Sequence, residues 1–191
     1  MRTPSPFTRA CELALAVPAA VVALPVVAIL LIAVRLETAG SPMLVQQRVG
    51  RGRRPFRLVK IRTMFRDTPH VASHEVGDMR VTRIGGVLRR LKLDELPQLL
   101  NVINGSMSFI GPRPCLPTQV ELIAQREARG LFALRPGITG PGQVAGIDMS
   151  TPALLAETEA EYFASSTLSS DLSILLRTAT GSGRGDAVGR T

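Results

Sequence analysis

Apolar residues recur along this chain in several distinct rhythms, and each rhythm predicts a different element. From Leu13 to Val34 there are 22 residues without a charge. As a straight helix they would extend about 33 Å, enough for a hydrocarbon core of about 30 Å. Met43 to Val49 and Phe56 to Met64 are β-prone runs separated by Gly50, Gly52 and Pro55, which predicts a hairpin. Ile84, Val87, Leu88 and Leu91 follow the i, i+3, i+4, i+7 spacing of a short helix, with Arg89, Arg90 and Lys92 mostly on its other face. Asp94 to Ile103 opens with acids and a proline and closes near Asn104-Gly105, as a helix does. Thr118 to Leu134 predicts an amphipathic helix closed by Arg135-Pro136-Gly137. Thr151-Pro152 opens another, and Asp171 is expected to cap a last one running to about Gly181. The fold class is therefore α+β and mostly helical, with one β-hairpin. The expected organisation is a membrane segment over residues 1–39, a folded domain over 40–180 and a loose tail over 181–191.

The long apolar run contains Pro18 and Pro25. Each removes a helix hydrogen bond and collides with the carbonyl four residues back, Ala14 and Val21, at about 3 kcal/mol apiece. Seven residues is nearly two turns, so both bends act on one side and add. Arg2 and Arg9 precede the run, and Arg35, Arg48, Arg51, Arg53 and Arg54 follow it. The positive-inside tendency would hold both ends on the cytoplasmic side, which a re-entrant hairpin satisfies. A single-pass anchor that tolerates its prolines stays open at this point, and would put the N-terminus outside. A cleaved signal peptide fits poorly, because its apolar stretch is usually about 7 to 15 residues and no small-x-small site follows here.

Charge sharpens this picture. The chain carries 23 Lys and Arg against 15 acids, but residues 48–92 hold 13 of these cations with 3 acids, while residues 93–191 hold 7 with 10. A local positive region calls for phosphate, on a lipid, a nucleotide or a nucleic acid. With no Trp and one Tyr, stacking platforms for nucleic acid are missing, so no nucleic-acid partner is expected. Cys11 and Cys115 match no metal or redox spacing and read as free thiols. Gly50-x-Gly52 is no dinucleotide loop, because Pro55 takes the third glycine's place. His70 and His74 have i, i+4 spacing within a polar connection that also holds Pro69 and Asp78. No third ligand follows at a recognised distance.

Chemistry concentrates around Asp94 and Glu95, the acids nearest the basic cluster, at a helix start where backbone N–H groups favour anions. Locally, Asp before a first-turn proline reads first as an ordinary cap. The chemical alternative is that one carboxylate attacks phosphorus while its neighbour holds a divalent cation and arginines clamp the remaining oxygens. Gly111-Pro112-Arg113-Pro114 is a rigid turn that aims Arg113, and Arg135-Pro136-Gly137 repeats the arrangement. In the second β-prone run Phe56, Leu58, Lys60, Arg62 and Met64 share a face, which suits a phosphate boundary or a solvated strand edge. Asn104-Gly105-Ser106 fits a glycosylation sequon but reads better as a helix-ending turn.

Taken in order, several segments resemble the monotopic phosphoglycosyl transferases, the bacterial sugar transferase family that begins glycan assembly on undecaprenyl phosphate. They are the apolar run with Pro25, Gln47-Arg48-Val49-Gly50, Phe56 with Lys60-Ile61-Arg62-Thr63-Met64, Asp78-x-Arg80-Val81-Thr82-Arg83-x-Gly85, and Leu93-Asp94-Glu95-Leu96-Pro97-Gln98-Leu99. Asn101-Val102, Met107-Ser108, Gly111-Pro112-Arg113-Pro114 and Arg135-Pro136-Gly137-Ile138-Thr139-Gly140 complete the set. The resemblance covers nearly the whole chain. It implies a re-entrant helix broken at Pro25, amphipathic interfacial helices, and a catalytic domain on the cytoplasmic face of the bacterial inner membrane. It also implies that Asp94 is the nucleophile on a UDP-sugar, that UMP leaves, and that undecaprenyl phosphate takes the phosphosugar. Glu95, with Asp94, would hold Mg2+, while Lys60, Arg62, Arg89 and Arg113 would present cations to phosphate. A homodimer is compatible with the sequence. Ser106, Cys115, Gly142, Glu12 and Leu24 depart from the family's usual residues and leave the sugar undefined. The contrasting reading is a non-catalytic membrane adaptor that binds anionic lipid through its basic hairpin and helix.

Overall fold

The computed structural model describes residues 5–68 and 80–180. His70, His74, Asp78 and the tail after Thr180 lie outside them. Helix α1 runs from Pro6 to Glu37. Ser5 caps it by accepting a hydrogen bond from the Thr8 N–H at 3.1 Å, and proline stands in its first turn, where no donor is lost. The helix continues through Pro18 and Pro25, so the break expected at Pro25 does not interrupt it. Both prolines are exposed, and their missing hydrogen bonds open on the side away from the rest of the molecule. By length and composition α1 could cross a membrane.

The partly or fully buried positions of α1 fall at 8, 9, 12, 13, 16, 20, 23, 27, 30, 31, 33, 34 and 37, which group on one face at 3.6-residue spacing. Ala16 joins Leu58, Val102 and Met107 in one core cluster, and Val34 joins Ile61 and Leu88 in another. The opposite face, including Val21, Val22, Leu24, Ile29 and Ile32, is exposed. One side of the helix thus lies along the folded body from end to end.

The hairpin forms as expected. Strand β1 (Met43–Val49) pairs antiparallel with β2 (Pro55–Ile61), Met43 opposite Ile61 and Val49 opposite Pro55. β2 stops at Ile61 rather than Met64, because the next side chain turns to the end of α1. Arg62 donates to the Thr38 carbonyl (3.1 Å), the Thr38 hydroxyl (2.6 Å) and the Ala39 carbonyl (3.0 Å). These acceptors are what a helix end leaves over. The outer edge of β2 is closed by one amide. Asn101, 2% exposed, accepts from the Val59 N–H (3.1 Å) and donates to the Arg57 carbonyl (2.8 Å), doing the work of a third strand.

Helix α2 (Arg83–Leu91) is capped by Thr82, whose hydroxyl accepts from the Gly85 N–H at 2.9 Å. Ile84 and Leu88 pack inward while Val87 and Leu91 stay exposed. A 3-10 turn over Leu93–Gln98 leads into helix α3 (Leu99–Ile103). Its N-cap is Lys92 in the left-handed region (φ 56°), not Asp94, so the cap reading of Asp94 does not hold. Asn104 ends α3, its side-chain oxygen taking the Ser106 N–H at 2.9 Å.

A two-stranded parallel sheet, β3 (Ser108–Ile110) with β4 (Gly137–Thr139), has no counterpart in the sequence reading. The helix expected over 118–134 is shorter: α4 covers Val120–Ala128, and Gly130 (φ 67°) turns the chain into a separate 3-10 turn at Leu131–Ala133. A short α5 (Pro141–Val144) precedes α6 (Pro152–Ser165) and α7 (Leu168–Ala179). Thr167 and Ser170 cap α7 reciprocally, so Asp171 is not its cap. Asp171 instead accepts the Tyr162 hydroxyl proton at 2.7 Å.

Two outcomes follow. Asn101→Leu keeps a side chain of similar size but leaves a part-buried N–H and carbonyl of β2 without their partner, costing about 1 to 3 kcal/mol by denaturant titration. Burial, together with Asp171, pushes the Tyr162 hydroxyl up to about 12. Tyr162 is the one tyrosine, so tyrosinate absorbance reads it alone: its midpoint belongs well above the ordinary tyrosine value of 10.0. Its contribution to stability is fully present below the unfolded value and is lost as pH rises through the folded one.

Candidate active site

The elements that carry Asp94, Glu95, Lys60 and Arg113 meet at one narrow cleft. β2 supplies Leu58 and Lys60, the 3-10 turn supplies Glu95 and Gln98, and the Gly111–Pro114 turn supplies Arg113. β1 adds Arg48, and β4 adds Gly137 and Ile138. The enclosed volume is about 20 Å³, room for roughly one water-sized group. In a 3-10 turn successive residues are about 120° apart. Asp94 is accordingly turned in (7% exposed) while Glu95 lines the cleft and pairs with Arg113 at 3.3 Å. Lys60 is also buried, at 8%. Burial lowers the Lys92 ammonium below its ordinary value, with Glu95 opposing the change and Arg113 adding to it. Glu95 therefore sits among cations brought from three elements.

The aim of Arg113 is set through its backbone. Gly111 donates its N–H to the Thr139 carbonyl and Gly137 donates to the Pro112 carbonyl, both at 3.0 Å, and a Cβ on either glycine would run into the other strand's backbone. Two arginines grip the next carbonyls: Arg126 donates to Arg113 (2.8 Å) and Arg48 donates to Pro114 (3.0 Å). Arg126 is 2% exposed and holds Glu159, 1% exposed, through paired contacts of 2.8 and 2.6 Å. Burial pushes the Glu159 carboxyl up, against the pull of the Arg126 guanidinium. Sequence reasoning missed this pair, though both residues fall in phase with apolar ones, Arg126 four after Leu122 and Glu159 four after Leu155.

The other candidates lie elsewhere. Arg62 is engaged with the end of α1, as described. Arg89 donates its Nε to the Thr63 hydroxyl at 2.9 Å, and its Nη1 is buried with no acceptor among the described residues. Arg135 pairs with Glu12 of α1 at 3.5 Å. Glu12 also binds Arg9 at 3.1 Å and accepts a short hydrogen bond from the Ser108 hydroxyl. Pro25 stands on the exposed face of α1. As for a metal, no three His, Cys, Asp or Glu side chains group into a cage among the described residues. The Asp94–Glu95 pair is the kind of donor set that Mg2+ accepts when phosphates and water supply the rest.

Comparison with known proteins adds the remaining observation. Residues 3–184 match the family described as bacterial sugar transferase. The chain belongs to that family. It is 39% identical over 163 residues to the UDP-glucose:undecaprenyl-phosphate glucose-1-phosphate transferase of Caulobacter vibrioides, a match covering 81% of this chain and 61% of that one. It is 40% identical over 149 residues to the UDP-N-acetylgalactosamine-undecaprenyl-phosphate N-acetylgalactosaminephosphotransferase of Aeromonas hydrophila, covering 74% and 35%. Against the exopolysaccharide production protein ExoY of Rhizobium meliloti, identity is 34% over 173 residues, covering 81% and 75%. The chain thus spans only 61% and 35% of the first two relatives.

The buried pair behind Arg113 makes a stability prediction. Glu159→Leu alone strands the Arg126 charge and costs about 3 to 5 kcal/mol, whereas Glu159→Leu with Arg126→Met recovers most of that loss. Thermal or denaturant unfolding of the two variants measures the difference.

Proposed function

We propose that this protein moves a sugar 1-phosphate from a UDP-sugar to a polyprenyl phosphate at the membrane surface, as the first membrane step of glycan assembly. One observation carries the reading: Glu95 faces Arg48, Lys60 and Arg113 in one cleft, directly after the buried carboxylate of Asp94, within a chain of the bacterial sugar transferase family. That set of charges suits the oxygens of a phosphate group, since phosphoryl transfer depends mainly on positioning and on charge stabilisation.

In the proposed sequence an ionised Asp94 oxygen attacks the phosphorus that bears the sugar. A P–O bond to the carboxylate forms, and the bond to the bridging oxygen breaks, with its electron pair leaving on UMP. A phosphate oxygen of the polyprenyl acceptor then attacks the same phosphorus and frees the carboxylate. Arg113 and Lys60 stabilise the non-bridging oxygens. Glu95, with Asp94, would hold Mg2+, which supplies charge neutralisation when bound. Arg113 competes for Glu95 and so sets how readily it turns to a cation.

The membrane arrangement follows from α1. A helix crossing about 30 Å of hydrocarbon would separate Arg9 from Glu37 by the whole bilayer. Yet Arg9 donates to the Ile103 carbonyl (2.9 Å), while Glu37 accepts the Ile84 N–H (3.2 Å), and both partners belong to the same body. This supports a monotopic embedding in which α1 lies along the body with both ends on the cytoplasmic face of the inner membrane, rather than a hairpin broken at Pro25. Exposed Val87 and Leu91 on α2, beside Arg90, would rest in the headgroup layer.

The test is UMP release by the full chain in membranes, with a panel of UDP-sugars, Mg2+ and undecaprenyl phosphate. Asp94→Asn should lower the rate at least about a thousandfold while membrane binding is kept. With the correct donor and no acceptor, mass spectrometry should find the phosphosugar on Asp94. A chain that releases no UMP with any donor would be a lipid-binding adaptor instead.

A further inference from the structure

On the other side of the β3–β4 pair from the acidic cleft lies a larger cavity of about 180 Å³. Ser108 to Ile110 of β3, together with Leu134 and Arg135, form one wall, Thr8 to Leu15 of α1 a second, and Phe163 and Leu175 of α6 and α7 a third. It exceeds the roughly 150 Å³ of an apolar cavity that stays dry and takes up benzene. Its charged groups are already engaged: Glu12 with Arg9 and Arg135, and Asp171 with the Tyr162 hydroxyl. An ionic headgroup would therefore find no spare counter-charge inside, whereas a hydrocarbon chain needs none. Leu15 belongs both to the cavity wall and to the outward face of α1, being 60% exposed. Across the opening, α7 presents Leu168 and Leu172, also exposed. The cavity is thus continuous with the apolar surface that the proposed embedding puts into the bilayer.

We propose that this cavity holds one acyl chain of a membrane phospholipid, which enters past Leu15 and seats against Ile110, Leu134 and Phe163. The lipid would tie the N-terminal end of α1 to α7. This rests on the membrane reading of α1, and the experiment separates the two. The full chain in phosphatidylcholine vesicles carrying a diazirine on the acyl chain is irradiated, digested and mapped by mass spectrometry. Adducts on Ile110 or Leu134 are expected beside those on Val21, Val22 and Leu24. Leu175→Trp, which fills the cavity, should lower the former at least about fivefold and leave the latter unchanged. Ser166→Trp, from another part of the wall, has to act in the same way, while Leu172→Trp on the exposed face of α7 has to leave both sets intact. Adducts on α1 alone, or cavity adducts indifferent to Leu175→Trp and Ser166→Trp, would overturn the cavity proposal and spare the membrane reading. Absence of adducts on Val21, Val22 and Leu24 would overturn the membrane reading. If added undecaprenyl phosphate erased only the cavity adducts, the acceptor's tail would be the occupant and the phospholipid assignment would fall.

Discussion

Much of this structure depends on holding the backbone from Gly111 to Cys115 still. That stretch carries the arginine that meets Glu95, and it is fixed from every side by hydrogen bonds to its main chain. Glycine contacts with β4 fix one flank, Arg48 and the Val49 N–H reach it from the hairpin, and Arg126 reaches it from the helical half. Prolines on both sides of Arg113 remove most of the remaining freedom. A guanidinium on a long side chain loses much entropy on being positioned, and here the surrounding core has already ordered its root. Buried charge is tolerated because Arg126 has Glu159 in a paired geometry and gives its third contact to a carbonyl that would otherwise go unmet.

The same economy operates where α1 meets the body. Each end of the helix is held by a charged side chain acting on backbone: Arg9 on the Ile103 carbonyl, Glu37 on the Ile84 N–H, and Arg62 on the carbonyls at the helix end. Between these points contact is by small and branched apolar residues along one stripe. Polar anchors give position and the apolar stripe gives most of the burial, which leaves the other, equally apolar face of the helix exposed.

The hairpin was legible because its punctuation, Gly50, Gly52 and Pro55, is strong and its runs are β-branched. The stripe on α1 was not, since its buried and exposed faces are both apolar and the sequence has no polar side to mark the phase. The β3–β4 pair escaped notice because each strand is three residues long and the partners lie far apart in sequence. At the site, local spacing singled out Asp94, Glu95 and Arg113, but it could not tell which arginines face the cleft. Arg62 and Arg135 look like their neighbours in sequence and are aimed elsewhere by tertiary contacts. Arg48 and Lys92 were passed over for the same reason. The clearest missed signal was a charge standing in an apolar phase, at Arg126 and at Glu159.

The stripe on α1 also bears on how the chain must come to be folded. Two of its core clusters are completed by residues of this helix, Ala16 in one and Val34 in the other. The remainder of the chain, made without it, would leave Leu58, Ile61 and Leu88 without their cover. Docking of α1 and maturation of the globular part are then one event, and a version trimmed of this helix would bare apolar surface and be prone to clump.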